Sequence, residues 1–357
     1  MQGKLTLSDG TVFLGQSFGA DLLESPLDSL PSGEVVFNTG MVGYPESLTD
    51  PSYFGQILVL TYPIQGNYGV PKKDFWESKR IQVKALIVQN YIDQPSHFES
   101  EKTLGEWLKE EGIPALYGID TRQLTRKLRE HGVMLGQLTM GNGKLTNETY
   151  DPNLENLLPQ VSIERVETFG KGKKNIVLID CGAKENIIRS LVKRGVKVTR
   201  VPWNFNPLKN PPAGGFDGVF ITNGPGDPKQ AKETIENVKQ VLKMGIPTLG
   251  ICLGSQILAL AAGGNTYKLK FGHRGQNQPV QDVNNKKAII TSQNHGFAVD
   301  MKSLDSGWIE WFVNLNDGTN EGIRHKTKPF MAVQFHPEAS PGPMDAGYLF
   351  DEFISYL

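Results

Sequence analysis

The chain has 357 residues, of which 38% are hydrophobic and 21% charged, and its formal net charge is −1. This length is sufficient for two domains with separate cores, and the near-neutral charge excludes the strongly basic proteins that bind nucleic acids or acidic membrane surfaces. Because only two cysteines are present and no Cys/His spacing suits zinc, we expect neither a disulfide framework nor a bound metal. The amino-terminal residues do not resemble a signal peptide, so we expect a cytoplasmic location.

The first 150 residues are predicted to form a β-rich α/β domain. A further strand is predicted over residues 79–90, and helices are predicted over Lys102–Glu111 and Thr121–Glu130. Short apolar runs between DG, SG and DPS turns predict four earlier strands, namely Lys4–Leu7, Val12–Leu14, Glu34–Asn38 and Gln56–Tyr62. By pattern alone, nothing in the stretch from Gly33 to Pro63 is catalytic.

The chain changes character after residue 150. Residues 151–174 are polar, contain two prolines and end in a KGKK run, which is typical of a linker. Over residues 175–357 strands and helices alternate, beginning with the strand Asn175–Asp180 and the helix Ala183–Arg194, and Asp227 suits the N-cap of a later helix. This alternation predicts an α/β domain with a mostly parallel sheet flanked by helices.

A sharp turn is predicted at Cys252. The stretch Gly245–Gly264 reads GIPTLGICLGSQILALAAGG, in which an apolar strand-like run is followed by a good helix former. Gly250 and Gly254 lack the Cβ atoms that would crowd the turn, and the following helix offers N–H groups that favour a thiolate. The pattern therefore indicates a nucleophile elbow, although a buried structural cysteine is the alternative.

A base for this nucleophile is predicted in the segment MAVQFHPEAS. Met331–Phe335 is strand-like, and His336 and Glu338 follow at its carboxyl end with Pro337 between them. At this spacing the carboxylate can accept a hydrogen bond from the imidazole and fix its tautomer. Taken alone the HPE segment could be a surface turn, but beside an elbow the acid–base interpretation is favoured.

The loop TNGPGDP, Thr222–Pro228, follows a predicted strand near the elbow. Gly224 and Gly226 could suggest a dinucleotide-binding loop, but Lys229 stands where the third glycine would be. Ligands of open α/β sheets bind at the carboxyl ends of strands, so backbone N–H groups of this loop and of Leu253 could form an oxyanion hole.

The motifs GICLGSQ and QFHPE resemble those of the triad-type (class I) glutamine amidotransferases. The stretch Gly33–Pro63 and the segment GIDTRQLTR resemble the amino-terminal domain of the small, glutamine-hydrolysing subunits of carbamoyl-phosphate synthases, so the resemblance covers essentially the whole chain. One departure is Ser255, where the amidotransferases usually have histidine.

The resemblance implies a role for each site residue. Cys252 would be the nucleophile, His336 the acid and base, and Glu338 the carboxylate that orients the imidazole. The contacts implied for L-glutamine are Ser52, Gly224, Gly226, Leu253, Gln256, Asn294, Gly296 and Phe297.

The resemblance also implies a partner. The sequence contains no GxxxxGK[ST] motif, so ATP and Mg²⁺ are expected on a large synthetase chain, with no cofactor on this one. The chain would pair with that synthetase as a heterodimer or a higher oligomer. The sequence also allows two alternatives: a free-standing cysteine hydrolase of the γ-glutamyl hydrolase or peptidase type, and a degenerate, non-enzymatic scaffold.

Overall fold

A computed structural model describes residues 1–21, 30–141, 143–146 and 148–357. The chain divides into two compact units, Met1–Leu154 and Glu155–Leu357, and the division falls inside the segment predicted as a linker.

The first unit is a small barrel with helices. Its elements in chain order are β1 (Gln2–Leu7), β2 (Val12–Ser17), β3 (Ser32–Asn38), α1 (Tyr44–Thr49), β4 (Gln56–Leu60), β5 (Ile64–Gln65), β6 (Ala85–Ile87), β7 (Asn90–Tyr91), α2 (Leu104–Glu110), β8 (Ala115–Tyr117), α3 (Thr121–His131) and β9 (Met134–Met140). The barrel strands run in the order β1-β2-β8-β6-β4-β3-β9, while β5 and β7 form a separate pair.

Local sequence explains the helices of this unit. Thr103 and Glu106 form a reciprocal capping box at the start of α2, and the face carrying Leu104, Trp107 and Leu108 is buried in the core as the spacing predicts. The strand predicted over residues 79–90 is much shorter than expected, because only Ala85–Ile87 pair with neighbouring strands.

The second unit carries the predicted strand–helix alternation. Its elements are α4 (Leu158–Val161), β10 (Glu167–Phe169), β11 (Asn175–Asp180), α5 (Glu185–Lys193), β12 (Lys197–Pro202), β13 (Gly218–Ile221), α6 (Lys232–Lys243), β14 (Thr248–Ile251), α7 (Leu253–Ala261), β15 (Asn265–Asp282), β16 (Ala288–Asp300), β17 (Trp308–Asn314), β18 (Asn320–His325), β19 (Phe330–Val333) and α8 (Tyr348–Ile354).

One ten-stranded sheet organises this unit, in the order β10-β12-β11-β13-β14-β19-β18-β17-β15-β16. The strands from β12 to β19 in that order are parallel to their neighbours, and β18, β17, β15 and β16 extend them in antiparallel fashion. The α/β class is confirmed, but the antiparallel extension was not predicted from the sequence. Its long strands are rich in polar residues, glycine and a proline, which conceals the two-residue period of a sheet.

Alternate residues of the central strands pack on opposite faces of the sheet. Ile176 and Leu178 of β11 belong to the core beneath α5 and α8, whereas Val177 and Ile179 belong to the core beneath α6 and α7. Both faces of β11 are therefore covered, as expected for a parallel strand between helical layers.

Two sequence predictions at element ends need correction. Asp227 caps a short 3-10 turn at Pro228–Gln230, and α6 begins only at Lys232. Part of the predicted linker is not a free tether, because β10 pairs with β12 at the edge of the sheet. Within the described residues, no helix combines the length and apolar character that crossing a bilayer requires.

Candidate active site

The predicted elbow is present between β14 and α7. Cys252 has φ 54° and ψ −107°, a backbone conformation that residues other than glycine rarely adopt. A Cβ on Gly250 would lie 2.4 Å from Gly254 O, and a Cβ on Gly254 would lie 2.1 Å from Ile221 O. The two glycines are therefore needed for close backbone packing around the turn, and the rare conformation of Cys252 is the sharp strand-to-helix corner that the sequence predicts.

The histidine and the glutamate predicted to assist Cys252 are paired. His336 Nδ1 donates to Glu338 Oε1 at 2.6 Å, and both side chains are buried. The backbone N–H of His336 bonds to Ser292 O at 2.9 Å, and that of Cys252 bonds to Val333 O at 2.9 Å. These backbone bonds fix the segment after β19 between the elbow and β16.

Sequence reasoning missed Lys184, which forms a buried ion pair with the glutamate. Lys184 Nζ lies 3.1 Å from Glu338 Oε1 and also donates to Ala339 O. Burial alone would raise the pKa of Glu338, but Lys184 and His336 outweigh it and lower this pKa to about 2. The available signal was the lysine of DCGAK, which follows β11 at the carboxyl edge of the sheet.

The imidazole of His336 is held in its charged form. Burial alone would lower the pKa of His336, but the Glu338 carboxylate and the Cys252 side chain raise it to about 10. Apart from its interaction with the Cys252 side chain, its Nε2 has no hydrogen-bond partner among the described residues. Cys252, His336 and Glu338 are thus brought together, with one imidazole nitrogen left for a proton transfer.

Several residues predicted to contact glutamine surround Cys252. Cys252 Sγ lies 3.6 Å from Asn294 O, and Gln256 Nε2 donates to Phe297 O at 2.9 Å, so β16 runs beside the elbow helix. A Cβ on Gly224 would lie 2.8 Å from the Leu253 side chain, which places the TNGPGDP loop against the start of α7.

The other predicted contacts are placed as follows. Gly226 has φ 84° within the same loop. A Cβ on Gly296 would lie 3.2 Å from the Arg274 guanidinium. Ser52 belongs to the first unit, where its N–H bonds to Asp50 Oδ1 at 2.9 Å. The contacts of these residues with glutamine stay predictions.

A second histidine cluster lies in the antiparallel part of the sheet. His273 Nδ1 donates to Glu321 Oε1 at 3.2 Å and its Nε2 to Asp317 Oδ2 at 2.9 Å. Burial lowers the pKa of His273, but the two carboxylates more than offset this and raise it. In the described residues, His273, His295 and Glu321 form the one group that could hold a metal ion, but Asn314 Nδ2 already donates to Glu321 Oε1 at 3.1 Å.

Comparison with known families matches both units. Residues 177–356 match the family described as glutamine amidotransferase class-I, and residues 5–138 match the carbamoyl-phosphate synthase small chain, CPSase domain. The first match lies within the second compact unit and the second match lies within the first compact unit.

Known proteins resemble the chain over nearly its full length. The carbamoyl phosphate synthase arginine-specific small chain of Neurospora crassa is 48% identical over 99% of this chain and 79% of its own. The multifunctional protein CAD of Squalus acanthias is 49% identical over 98% of this chain. The human protein named carbamoyl-phosphate synthase [ammonia], mitochondrial, is 47% identical over 99%. This chain spans only 16% of the CAD protein and 23% of the human protein.

Proposed function

The chain belongs to the family of carbamoyl-phosphate synthase small chains, and from this premise we propose that it hydrolyses L-glutamine and supplies ammonia to a large synthetase chain. The family name alone does not decide the nitrogen donor, because one relative is named for ammonia. The observation that supports glutamine is the buried Cys252–His336–Glu338 arrangement with its elbow geometry.

The geometry supports a thioester mechanism. Cys252 attacks the side-chain amide carbon of glutamine, and His336, whose pKa is raised to about 10, takes up the thiol proton. Backbone N–H groups of Leu253, at the first turn of α7, and of the Gly224–Gly226 loop would stabilise the oxyanion. His336 then protonates the departing ammonia through Nε2 and activates water to release glutamate.

The remaining steps of carbamoyl phosphate synthesis are proposed for the partner. Bicarbonate and carbamate must be activated by ATP with Mg²⁺, and we assign both to the large chain. Residues 5–138 match a domain specific to these small chains, which does not favour a free-standing cysteine hydrolase. We also propose a reducing, cytoplasmic location, since both cysteines are free thiols.

The test uses Cys252→Ser in the complex purified with its large chain. A serine hydroxyl has no accessible anion at neutral pH, so glutamine-dependent carbamoyl phosphate formation should fall by about 1,000-fold or more. Formation from added ammonium salt should continue, because that route bypasses Cys252. If both activities vanish while the complex stays intact, Cys252 is structural and the proposal is wrong.

A further inference from the structure

Two buried glutamine side chains contact each other beside the candidate site. Gln256 lies one turn beyond Cys252 on α7, and its backbone N–H bonds to Cys252 O at 3.3 Å. Gln334 follows β19, two residues before His336. Both residues are nearly inaccessible, at 2% and 1% exposure. The paired amides therefore join the helix of the nucleophile to the segment of the acid and base.

The hydrogen bonds of Gln256 determine how its amide is oriented. Gln256 Nε2 donates to Phe297 O at 2.9 Å and to Gln334 Oε1 at 3.0 Å. A backbone carbonyl can only accept, so the Phe297 carbonyl requires the NH₂ end of Gln256 to face it. Both N–H groups are then used, and Gln334 must present its oxygen.

The opposite end of each amide is left without a partner in the described chain. Gln334 Nε2 is fully enclosed and unpaired, which costs free energy. Turning the Gln334 amide over would point one donor at another, so the arrangement with Gln256 holds it in place. Gln256 Oε1 also makes no hydrogen bond with any described residue, but it retains accessible surface.

We propose that Gln334 is a positioning residue, which fixes the Gln256 amide so that Gln256 Oε1 accepts a hydrogen bond from the α-ammonium group of glutamine. The inference rests on the proposed function of this site. Two groups of glutamine carry only donors, the α-ammonium and the amide NH₂. The proposed mechanism directs the amide NH₂ to His336 and the γ-carbonyl to the oxyanion hole, which leaves the α-ammonium for Gln256 Oε1. A fixed neutral acceptor therefore selects amides that carry an α-ammonium group.

The test compares glutamine with glutaramic acid, which has the same amide but no α-ammonium group. In the full chain, Gln334→Met should lower kcat/KM for glutamine by about ten- to a hundredfold, mainly through KM. Its effect on glutaramic acid should stay within about threefold, so the preference for glutamine collapses. Gln334→Asn shortens the side chain by one methylene and moves the amide away from Gln256, so it should cause the same loss of preference. This variant replaces Gln334→Met in the test if the methionine variant does not fold.

Three further variants complete the test. Gln334→Glu keeps an oxygen facing Gln256 Nε2 and should retain the preference to within about fivefold. Gln65→Met is the matched control, because Gln65 is also buried but its amide donates to Tyr62 O in the first unit. In a Gln256→Met background, Gln334→Met should have no further effect on the preference.

Two results would overturn the inference. Equal losses of kcat/KM for glutamine and for glutaramic acid in Gln334→Met would show that Gln334 is only structural. The same would follow if the effects of Gln334→Met and Gln256→Met on the preference for glutamine were additive. Failure of the proposed function is a separate result, since the wild-type chain would then hydrolyse neither amide.

Discussion

Two buried histidine–carboxylate clusters lie in the second unit, and they differ in what the imidazole leaves available. His336 bonds to Glu338 through Nδ1, and within the described structure its Nε2 has no partner other than the Cys252 side chain. His273 uses both ring nitrogens, for Glu321 and for Asp317. A His–Glu contact therefore does not by itself indicate acid–base catalysis; an available nitrogen beside a nucleophile does.

The glutamates of the two clusters, Glu338 and Glu321, differ in whether a basic side chain balances their charge. Glu338 pairs with Lys184 as well as His336, and its pKa is lowered to about 2 although burial opposes this. Glu321 has no lysine or arginine partner among the ion pairs of the described residues, and burial raises its pKa. The Glu338 carboxylate is therefore held in its charged form beside the imidazole that it orients. For Glu321, the favourable contacts offset only part of the cost of burying the charge.

The largest predicted effect concerns the two histidines. His336→Asn should reduce glutamine hydrolysis by about 1,000-fold or more, because it removes the imidazole that is proposed to protonate the leaving ammonia. His273→Asn should retain activity to within about tenfold, because the polar partners of His273 are Glu321, Asp317 and Asn314 and do not include Cys252. Steady-state glutaminase assays of both variants test the contrast, and equal losses would remove the distinction between the clusters.

The next effect is on stability, through the buried lysine. Lys184→Met leaves Glu338 charged and buried without its lysine, which should cost about 3 kcal/mol of unfolding free energy and lower glutamine turnover. Lys174→Met is the control, because Lys174 pairs with Asp217 at a half-exposed site and should cost less than about 1 kcal/mol. Urea unfolding of both variants gives the two values, and a similar small cost for each would contradict the role of Lys184.

The glutamates should differ in the sign of their pH dependence. The lowered pKa of Glu338 gives stability that is present above its unfolded pKa of about 4.5 and is lost as the pH falls towards 2. Glu338→Gln should therefore flatten the acid loss of stability by on the order of 2 kcal/mol. The raised pKa of Glu321 makes stability fall as the pH rises above about 4.5, so Glu321→Gln should remove a slope of opposite sign. Unfolding measured from pH 3 to pH 7 separates the two.

The smallest effect is expected beside the nucleophile. Ser255 is buried, and its hydroxyl has no hydrogen-bond partner within the described chain. Ser255→Ala removes no hydrogen bond, so the unfolding free energy should change by less than about 0.5 kcal/mol or rise slightly. A loss above about 2 kcal/mol would indicate a bond that the structure does not contain.

The sequence predicts the parts of the site that local chemistry dictates. The glycines around Cys252 and the HPE segment carry signals within a few residues, so the elbow and the histidine–glutamate pair could be predicted. Lys184 reaches Glu338 across 154 positions of sequence, and such a contact has no local period or motif. For the same reason the Gln256–Gln334 contact was missed, although Gln256 itself was expected from the family resemblance.

In the fold, too, the elements with a local sequence signal were predicted and those that depend on distant contacts were not. The strands β11, β13 and β14 are short apolar runs with turn signals at their ends, and all three were predicted. The hairpin of β15 and β16 lies largely in polar sequence and was missed, because its burial comes from long-range pairing. This hairpin nevertheless places Asn294 beside Cys252 and Phe297 beside Gln256.

The central claim is that Cys252 is the nucleophile for glutamine. A chloroketone analogue of glutamine alkylates a thiolate that lies next to the bound amide carbon, and peptide mapping then locates the label. We expect one label per chain at Cys252, protection by glutamine and loss of glutaminase activity in proportion to labelling. Cys181 should stay unlabelled, because desolvation raises the pKa of its thiol well above the usual value and it makes no hydrogen bond with the His336–Glu338 pair in the described structure. Full labelling at Cys252 with activity retained, or a label at Cys181 in its place, would contradict the account.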